Sequence, residues 1–364
     1  MKMVQMKKAV NFLENIKKTD EIVVVFNNDG DGISSCVLLN KFLAKTGRKK
    51  PYIINQPMPM DKNIIQRIQT TVPHKIIFLD IAADQQQNVL KKLGGICDMM
   101  IVDHHQVFKN MNQPKDASSM RRTSVVVHYN PRMERHDVYQ STSYCVYKIC
   151  SKIIDMSEDL WIAGVGMVSD YNLNDSKDLV KILKEKYGLS EPLYGTKLGR
   201  IADMISATRA VNALSCEQMV EVLEKANFEG FEEAKNADKM IEARDAIEKE
   251  MASLLQDVEE HSEKIGKILF YNIKSKFNLG SSLSTKVSEN FQKDLVIIYE
   301  RSGNRVKVSA RNQAKNINAG LVLQRAASSA GGSGGGHEAA AGATISAENW
   351  EKFREILIKS VNKS

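Results

Sequence analysis

The residues best equipped for chemistry are Asp103-His104-His105, which follow directly on the apolar run Met99-Met100-Ile101-Val102. The run reads as the end of a buried strand. In open α/β sheets the carboxyl ends of strands line the ligand crevice. A tripeptide alone is a weak signal, because a satisfied strand-end cluster looks the same. Two other strand ends strengthen it. Ile22–Phe26 runs into Asn27-Asn28-Asp29-Gly30-Asp31-Gly32, and Ile76–Leu79 runs into Asp80. Three strand ends carrying Asp29, Asp31, Asp80, Asp103 and His104 suggest a hard-metal site, since like charges crowded together need a cation to hold them.

The elements that position these residues can be read from periodicity. Residues 2–18 fit an amphipathic helix with Val4, Ala9, Phe12, Leu13 and Ile16 as its apolar stripe. Strands are expected at Glu21–Phe26, Pro51–Asn55, Lys75–Asp80, Met99–Val102 and Ser124–Tyr129. Gly30 and Gly32 would let the chain turn sharply, and Ser34 or Ser35 would cap a helix running to about Thr46. Further helices are expected at Asp61–Thr70, around Gln85–Leu93, at Tyr144–Ile154 with Ser141 or Ser143 as cap, and from Asp159 to Asp170. Strands alternating with helices at this spacing imply a doubly wound parallel sheet in residues 1–190.

Residues 191–263 are expected to be a helical connector. A helix over Phe231–Ser262, with Met240, Ile247, Met251, Leu254 and Val258 at helical spacing, would span roughly 45 Å at about 1.5 Å per residue. A smaller α/β domain is expected over 264–364. Its strands are Lys267–Ile273, Asp294–Glu300 and Arg305–Arg311, with a hairpin turn at Ser302-Gly303-Asn304. A helix is expected over Asn318–Ala330, followed by Gly331-Gly332-Ser333-Gly334-Gly335-Gly336-His337. A helix precedes these glycines, so they are not a dinucleotide fingerprint. A flexible Gly-Ser linker would look similar. The continuation into an alanine run favours a nest of backbone N–H groups for a phosphate. A last helix, Ala347–Val361, packs through Trp350, Phe353, Ile356 and Leu357.

Composition sets outer bounds. The chain has 364 residues, 43% hydrophobic and 26% charged, as in ordinary soluble globular proteins. A net charge of +7 permits a polyanionic partner without demanding one. Five cysteines with no C-x-x-C pair read as reduced thiols in a cytoplasmic protein. No apolar run has membrane-spanning length. Met1–Lys8 reads as helix rather than signal peptide. His74, His128, His136 and His261 lack carboxylate partners in pattern and read as surface or core residues, and Arg48-Lys49-Lys50 reads as a solvated face.

Taken in order, these motifs resemble the DHH phosphoesterase superfamily, and within it the RecJ-like exonucleases of archaeal type with a C-terminal DHH-associated (DHHA1) domain. Asn27-Asn28-Asp29-Gly30-Asp31-Gly32 matches the family's His-x-Asp-x-Asp-Gly at all but the first place. Asp80 matches the strand-end Asp, Asp103-His104-His105 the Asp-His-His motif, and Asp170 the Asp closing a Gly-rich helix end. Gly334-Gly335-Gly336-His337-Glu338-Ala339-Ala340-Ala341-Gly342 fits the associated domain's Gly-Gly-Gly-His-x-x-Ala-Ala-Gly.

The resemblance implies a metal-dependent phosphodiesterase acting on single-stranded DNA, RNA or short oligonucleotides. Two Mn²⁺ or Mg²⁺ ions would activate a water between them. Position 27 and Asp29 would hold one ion, Asp31, His104 and Asp170 the other, and Asp80 would bridge them. Asp103 would orient His104, and His105 would contact the phosphate or act as an acid. Arg311, His337 and the amides of Gly334, Gly335 and Gly336 would grip a phosphate, with substrate between the domains. Asn27 departs from the family's His and offers a weaker, neutral donor, which implies a shifted metal preference or reduced activity. Two rival readings are a cyclic-dinucleotide or nucleotide phosphoesterase, and a weakened or inactive subunit of a replication complex with a GINS-type partner.

Overall fold

Alternation along the strands sorts their side chains to two faces, and this organises the first half of the molecule. The computed structural model describes residues 2–61, 63–112, 124–171, 173–190 and 192–362. It forms two compact units, Met1–Arg244 and Asp245–Ser364. In the first unit, β1 (Ile22–Phe26), β2 (Tyr52–Asn55), β3 (Lys75–Leu79), β4 (Asp98–Val102) and β5 (Val126–Tyr129) form a sheet. Its order is β2-β1-β3-β4-β5, and every neighbouring pair is parallel. All five expected strands are present, within a residue or two of the expected ends.

Val24, Phe26, Ile77, Leu79, Met100 and Val102 enter the larger core, which α1 (Lys2–Glu14) and α2 (Gly30–Lys45) cover. Val23, Val25, Ile76, Phe78, Met99 and Ile101 enter a thinner core under α3 (Ile64–Gln69) and α4 (Gln87–Leu93). The larger core is completed by α5 (Thr142–Cys150), α6 (Leu160–Ser169), α7 (Lys177–Tyr187), α8 (Lys197–Val211) and α9 (Cys216–Lys225). With strands buried on both faces, near-continuous apolar runs are what a parallel sheet requires. β2 lies on one side of β1 and all later strands on the other. The order therefore reverses between β1 and β3, and the crevice opens beyond their carboxyl ends.

Two expectations in this unit are corrected. α2 begins at Gly30, four residues before Ser34, because the Asp29 side chain caps it by accepting from Gly32 N–H. Gly30 and Gly32 thus lie in the helix rather than in a turn. A Cβ on Gly30 would come within 2.1 Å of Ser169 Oγ, so close packing is what the position needs. Residues 191–263 do not form a separate connector. Leu198, Ile201 and Ile205 of α8 and Met219, Val220 and Leu223 of α9 are buried in the first unit's core. The division between units falls within α10 (Ala237–His261), which has 25 residues rather than about 30.

The second unit has a six-stranded sheet of β6 (Glu263–Ile265), β7 (Ile268–Asn272), β8 (Leu295–Ser302), β9 (Arg305–Arg311), β10 (Ser333–Gly336) and β11 (Ala340–Ser346). Its order is β10-β11-β9-β8-β7-β6, antiparallel except for β7 with β8. Parallel pairing needs a crossover, supplied by α11 (Gly280–Asn290), a helix the sequence analysis did not anticipate. One face of the sheet packs on α12 (Ala319–Ser329) and α13 (Trp350–Asn362) through Leu323, Trp350, Phe353 and Leu357. The other packs on α11 and on Leu254 and Val258. The glycine run is not a loop. Ser333–Gly336 is an edge strand in register with Ala341–Thr344 of β11. Among the described residues no helix is long and apolar enough to cross a membrane.

Candidate active site

The crevice beyond β1, β3 and β4 collects the acidic loops. Asp80 follows β3 with φ +58°, a left-handed conformation that is uncommon outside glycine, Asn and Asp. Its carboxylate is buried, with Oδ1 3.2 Å from His104 Nε2 and accepting from Thr142 Oγ1 at 3.2 Å. Asp31 lies in the first turn of α2, fully buried, and accepts from two amides at the start of α5: Thr142 N–H at 2.6 Å and Ser143 N–H at 2.8 Å. A helix N-terminus is a natural seat for a carboxylate. Asp170 caps the C-terminal end of α6.

Among the described residues, two side-chain groups have the spacing to hold a metal ion: Asp31, His104 and Asp170, and Asp80, His104 and His105. Within each, one ligand atom per residue lies within 4.8 Å of the others. In the first group His104 Nδ1 faces Asp170 Oδ2 at 3.5 Å. Both atoms are buried, and neither has a hydrogen-bond partner among the described residues. Orphaned polar atoms are costly in a protein interior. A hard cation ligated by carboxylate oxygens and an imidazole nitrogen would satisfy both, so the residues present fit Mn²⁺ or Mg²⁺.

The electrostatics agree. Burial, then repulsion from Asp29 and Asp31, pushes Asp80 well above the usual carboxylate range. Burial, then Asp31, does the same to Asp170. Burial also raises Asp31, although His104 and its hydrogen bonds work against the shift. These carboxylates crowd one another and have too little positive charge to balance them.

Asp103 pairs with a different histidine from the one expected. Asp103 does not orient His104. Its Oδ1 pairs with His105 Nδ1 at 2.7 Å. Burial works to depress His105, but the Asp103 hydrogen bond and the charges of Asp103 and Asp80 outweigh it and raise the imidazole. In Asp103 burial acts upward, and the hydrogen bond and charge of His105 prevail and lower it. His105 is 44% exposed at its side chain, whereas His104 is 4% exposed.

Asn27 is the other departure. Its Oδ1 accepts from Asn28 N–H at 2.9 Å, and its Nδ2 donates to Asp29 Oδ2 at 2.6 Å and to Asp80 Oδ2 at 3.2 Å. The amide turns its nitrogen, not the expected oxygen, toward the carboxylates.

Several neighbours carried no chemical signal in the sequence. Asn130 Nδ2 donates to the His105 carbonyl at 2.9 Å, and Arg132 Nε to the His104 carbonyl at 2.8 Å, which fixes the backbone of the motif. The Tyr139 ring meets His104 edge-on at 4.9 Å. Arg209 of α8 donates to Asn28 Oδ1 at 3.0 Å. Only the N-terminus of α5 was legible, through its Ser141 cap.

In the second unit, Gly335, Gly336 and His337 line a cleft of about 390 Å³ with Asn318, Gln324 and Glu338. Arg311 lies in another cleft of about 310 Å³, which also takes in Gly335 and Gly336. Arg311 Nε is buried without a hydrogen-bond partner among the described residues. Gly334 lies outside both linings and packs near Ala327 and Ala343. Among the remaining histidines, His128 is buried, while His261 pairs with Asp257 on the exposed side of α10, a carboxylate partner not anticipated.

The fold is shared with several solved structures. RecJ from Thermus thermophilus in complex with Mn²⁺ matches with a TM-score of 0.73 and 16% identity, over 99% of this chain and 55% of that one. This chain thus spans about half the length of that protein. An exonuclease RecJ bound to manganese matches with a TM-score of 0.71 and 16% identity, over 99% and 95% of the two chains. A pGpG-specific phosphodiesterase, PggH from Vibrio cholerae, matches with a TM-score of 0.53 and 12% identity, over 94% and 99%. No curated protein sequence matches the chain. Family models match in two places. Residues 21–168 fit the DHH family N-terminal domain, and residues 274–363 fit the DHHA1 domain. With both domains in this order and a RecJ-like fold over nearly its full length, the chain belongs to the DHH superfamily.

Proposed function

We propose that this protein is a metal-dependent phosphodiesterase that hydrolyses single-stranded nucleic acid or short oligonucleotides. The observation that carries this reading is the buried Asp31–His104–Asp170 group, with two orphaned ligand atoms facing each other beside the half-exposed His105. A bound Mn²⁺ or Mg²⁺ would supply Lewis acidity toward a phosphoryl oxygen and acidify water near the phosphorus. Asp31, His104 and Asp170 hold the ion, with Asp80 beside them. Asp103 holds His105 through Nδ1, which leaves Nε2 to contact the phosphate or pass a proton to the leaving oxygen. The Asp103 hydrogen bond and charge raise His105, so the imidazole holds that proton more tightly than a free one would. In the second unit, Arg311 and the lining of the His337 cleft bind further phosphate, the guanidinium by its fork of N–H donors. Residues 1–244 would then serve as the hydrolytic unit and 245–364 as the binding unit.

The test incubates end-labelled single strands and linear and cyclic dinucleotides with the protein, with Mn²⁺, with Mg²⁺ and with excess chelator. Stepwise shortening of strands that requires added metal is expected. Turnover of dinucleotides alone would favour a small-molecule phosphodiesterase, a reading supported by the likeness to PggH over almost the whole of both chains. No cleavage of any substrate, together with recovery of replication factors in a pull-down, would favour the subunit reading instead.

A further inference from the structure

We infer that the active site of this chain holds one metal ion, at Asp31, His104 and Asp170, and that the Asn27 amide occupies the functional place of a second. The inference deepens the proposed hydrolase reading and rests on it for the first ion. Three observations support it.

The orientation of the Asn27 amide is fixed by its neighbours. The oxygen and nitrogen of an amide are assigned from the hydrogen bonds around them. Here Asn28 N–H donates to Oδ1 at 2.9 Å. Turning the amide over would set an NH₂ group against that N–H donor. It would also set a carbonyl oxygen against Asp29 Oδ2 and Asp80 Oδ2. Each of those contacts is repulsive, so the observed orientation is the stable one.

In that orientation the NH₂ group does what a cation would do. It brings two hydrogens to two carboxylates that otherwise repel, at 2.6 Å and 3.2 Å. The acceptor atoms an ion would need on this side are already engaged. Asp29 Oδ2 is taken by Asn27, and Asp29 Oδ1 accepts from Gly32 N–H at 2.9 Å as the cap of α2. An imidazole at position 27 could not bridge both carboxylates from one nitrogen, and it would leave a gap that a cation fills.

The other side of the site is the reverse. His104 Nδ1 and Asp170 Oδ2 are buried, face each other at 3.5 Å and have no hydrogen-bond partner among the described residues. The two halves of the crevice thus differ in kind, one satisfied by protein and one not. Neither residue group with metal-binding spacing includes Asp29.

The experiment counts ions. Metal-free protein is titrated calorimetrically with Mn²⁺, and the loaded protein is examined by electron paramagnetic resonance. Wild type is expected to bind one ion per chain and to give the six-line signal of an isolated Mn²⁺. Asn27→His is expected to bind two, with loss of that signal through spin coupling between adjacent ions. Two ions in the wild type at comparable affinity would overturn the inference while leaving the hydrolase reading intact. One ion in both forms would show that Asn27 does not set the count, and would overturn it as well. No ion bound by wild type would instead overturn the metal-dependent reading itself. A wild-type count of two overturns the inference whether or not the variant folds.

Discussion

Asp103 and His105 form the closest side-chain pair within the Asp-His-His motif, 2.7 Å apart between Oδ1 and Nδ1, and they act on each other in opposite senses: the carboxyl is lowered and the imidazole raised. The middle histidine faces Asp80 and Asp170 instead. One tripeptide therefore carries two imidazoles pointed in different directions, one toward Asp80 and Asp170 and one held by Asp103.

Removing the carboxylate charge should bring His105 down. In Asp103→Asn the imidazole loses the charge of Asp103 and keeps only that of Asp80, so it will deprotonate at lower pH. If His105 donates the proton to the leaving oxygen, the alkaline limb of the pH–rate profile moves to lower pH in this variant. His105→Ala should cost about 10²–10⁴-fold in kcat, the usual worth of a general acid. Proton NMR titration of His105 together with the rate profile checks both. An unmoved limb would remove His105 from the acid role.

The crowded carboxylates make a second prediction, on stability. Asp31, Asp80 and Asp170 all lie above the ordinary value of 3.8 in the folded protein. A carboxyl group raised by folding favours the folded state while protonated. That contribution is full below about 3.8 and is lost as pH rises through the raised values. Metal-free protein should therefore lose stability from about pH 4 upward on account of these groups. Mn²⁺ replaces the missing protons, so the rise in Tm on adding it should be larger at pH 8 than at pH 5. At a hundredfold excess over Kd the ion would contribute about 2.7 kcal/mol. Thermal melts at the two pH values, with and without Mn²⁺, measure it; an equal shift at both would contradict the prediction.

The first unit was legible because its central strands are continuous apolar runs, β3 and β4 ending directly in Asp80 and Asp103. Val23 and Val24 fill opposite faces of the sheet, a pattern that reads directly from sequence. Asp29 was read only as a metal ligand and its capping of α2 was missed, because a cap and a ligand use the same side chain and local sequence does not separate the two. β10 was missed because glycine has little strand preference of its own. Only tertiary packing, with Gly334 against Ala327 and Ala343, gives the run that form. The pairing of Asp103 with His105 rather than His104 is set by side-chain direction at a strand end, which spacing alone does not fix. Arg209 reaches Asn28 across 181 positions and could not be read locally.

Gly166 gives a third prediction. α5 and α6 meet where a Cβ on Gly166 would stand 2.3 Å from Ser143 Oγ and 2.9 Å from Asp31 Oδ1. Gly166→Ala should push α6 away from α5 and displace both Asp31 and Asp170. Overpacking of this kind typically costs about 1–3 kcal/mol. The variant should melt earlier and bind Mn²⁺ more weakly, whereas Gly195→Ala, with open space at its Cβ, should do neither. Calorimetry and melting of the two variants would show whether the helix contact sets metal affinity.

Asp80→Ala should abolish metal-dependent cleavage. Asp80 faces His104 and accepts from both Asn27 and Thr142, so its loss removes charge and order at once. Thermal melting separates the two causes. Wild-type turnover in this variant would exclude the crevice as the hydrolytic site.

The last prediction separates binding from cutting. His337 and Arg311 line clefts of the second unit, and every candidate metal ligand lies in the first. If the second unit binds substrate phosphate, His337→Ala and Arg311→Lys should raise KM for oligonucleotides with a smaller change in kcat. Arg311→Lys keeps the charge but loses the planar fork, so any effect of this change reports bidentate phosphate binding rather than net charge. A small activated diester such as bis(p-nitrophenyl) phosphate, which has no further phosphate for a second subsite, should be hydrolysed at the wild-type rate by both variants. Equal loss on the oligonucleotide and the small diester would mean that these residues act on the reacting phosphate itself. Unchanged KM for oligonucleotides in both variants would remove the second unit from substrate binding.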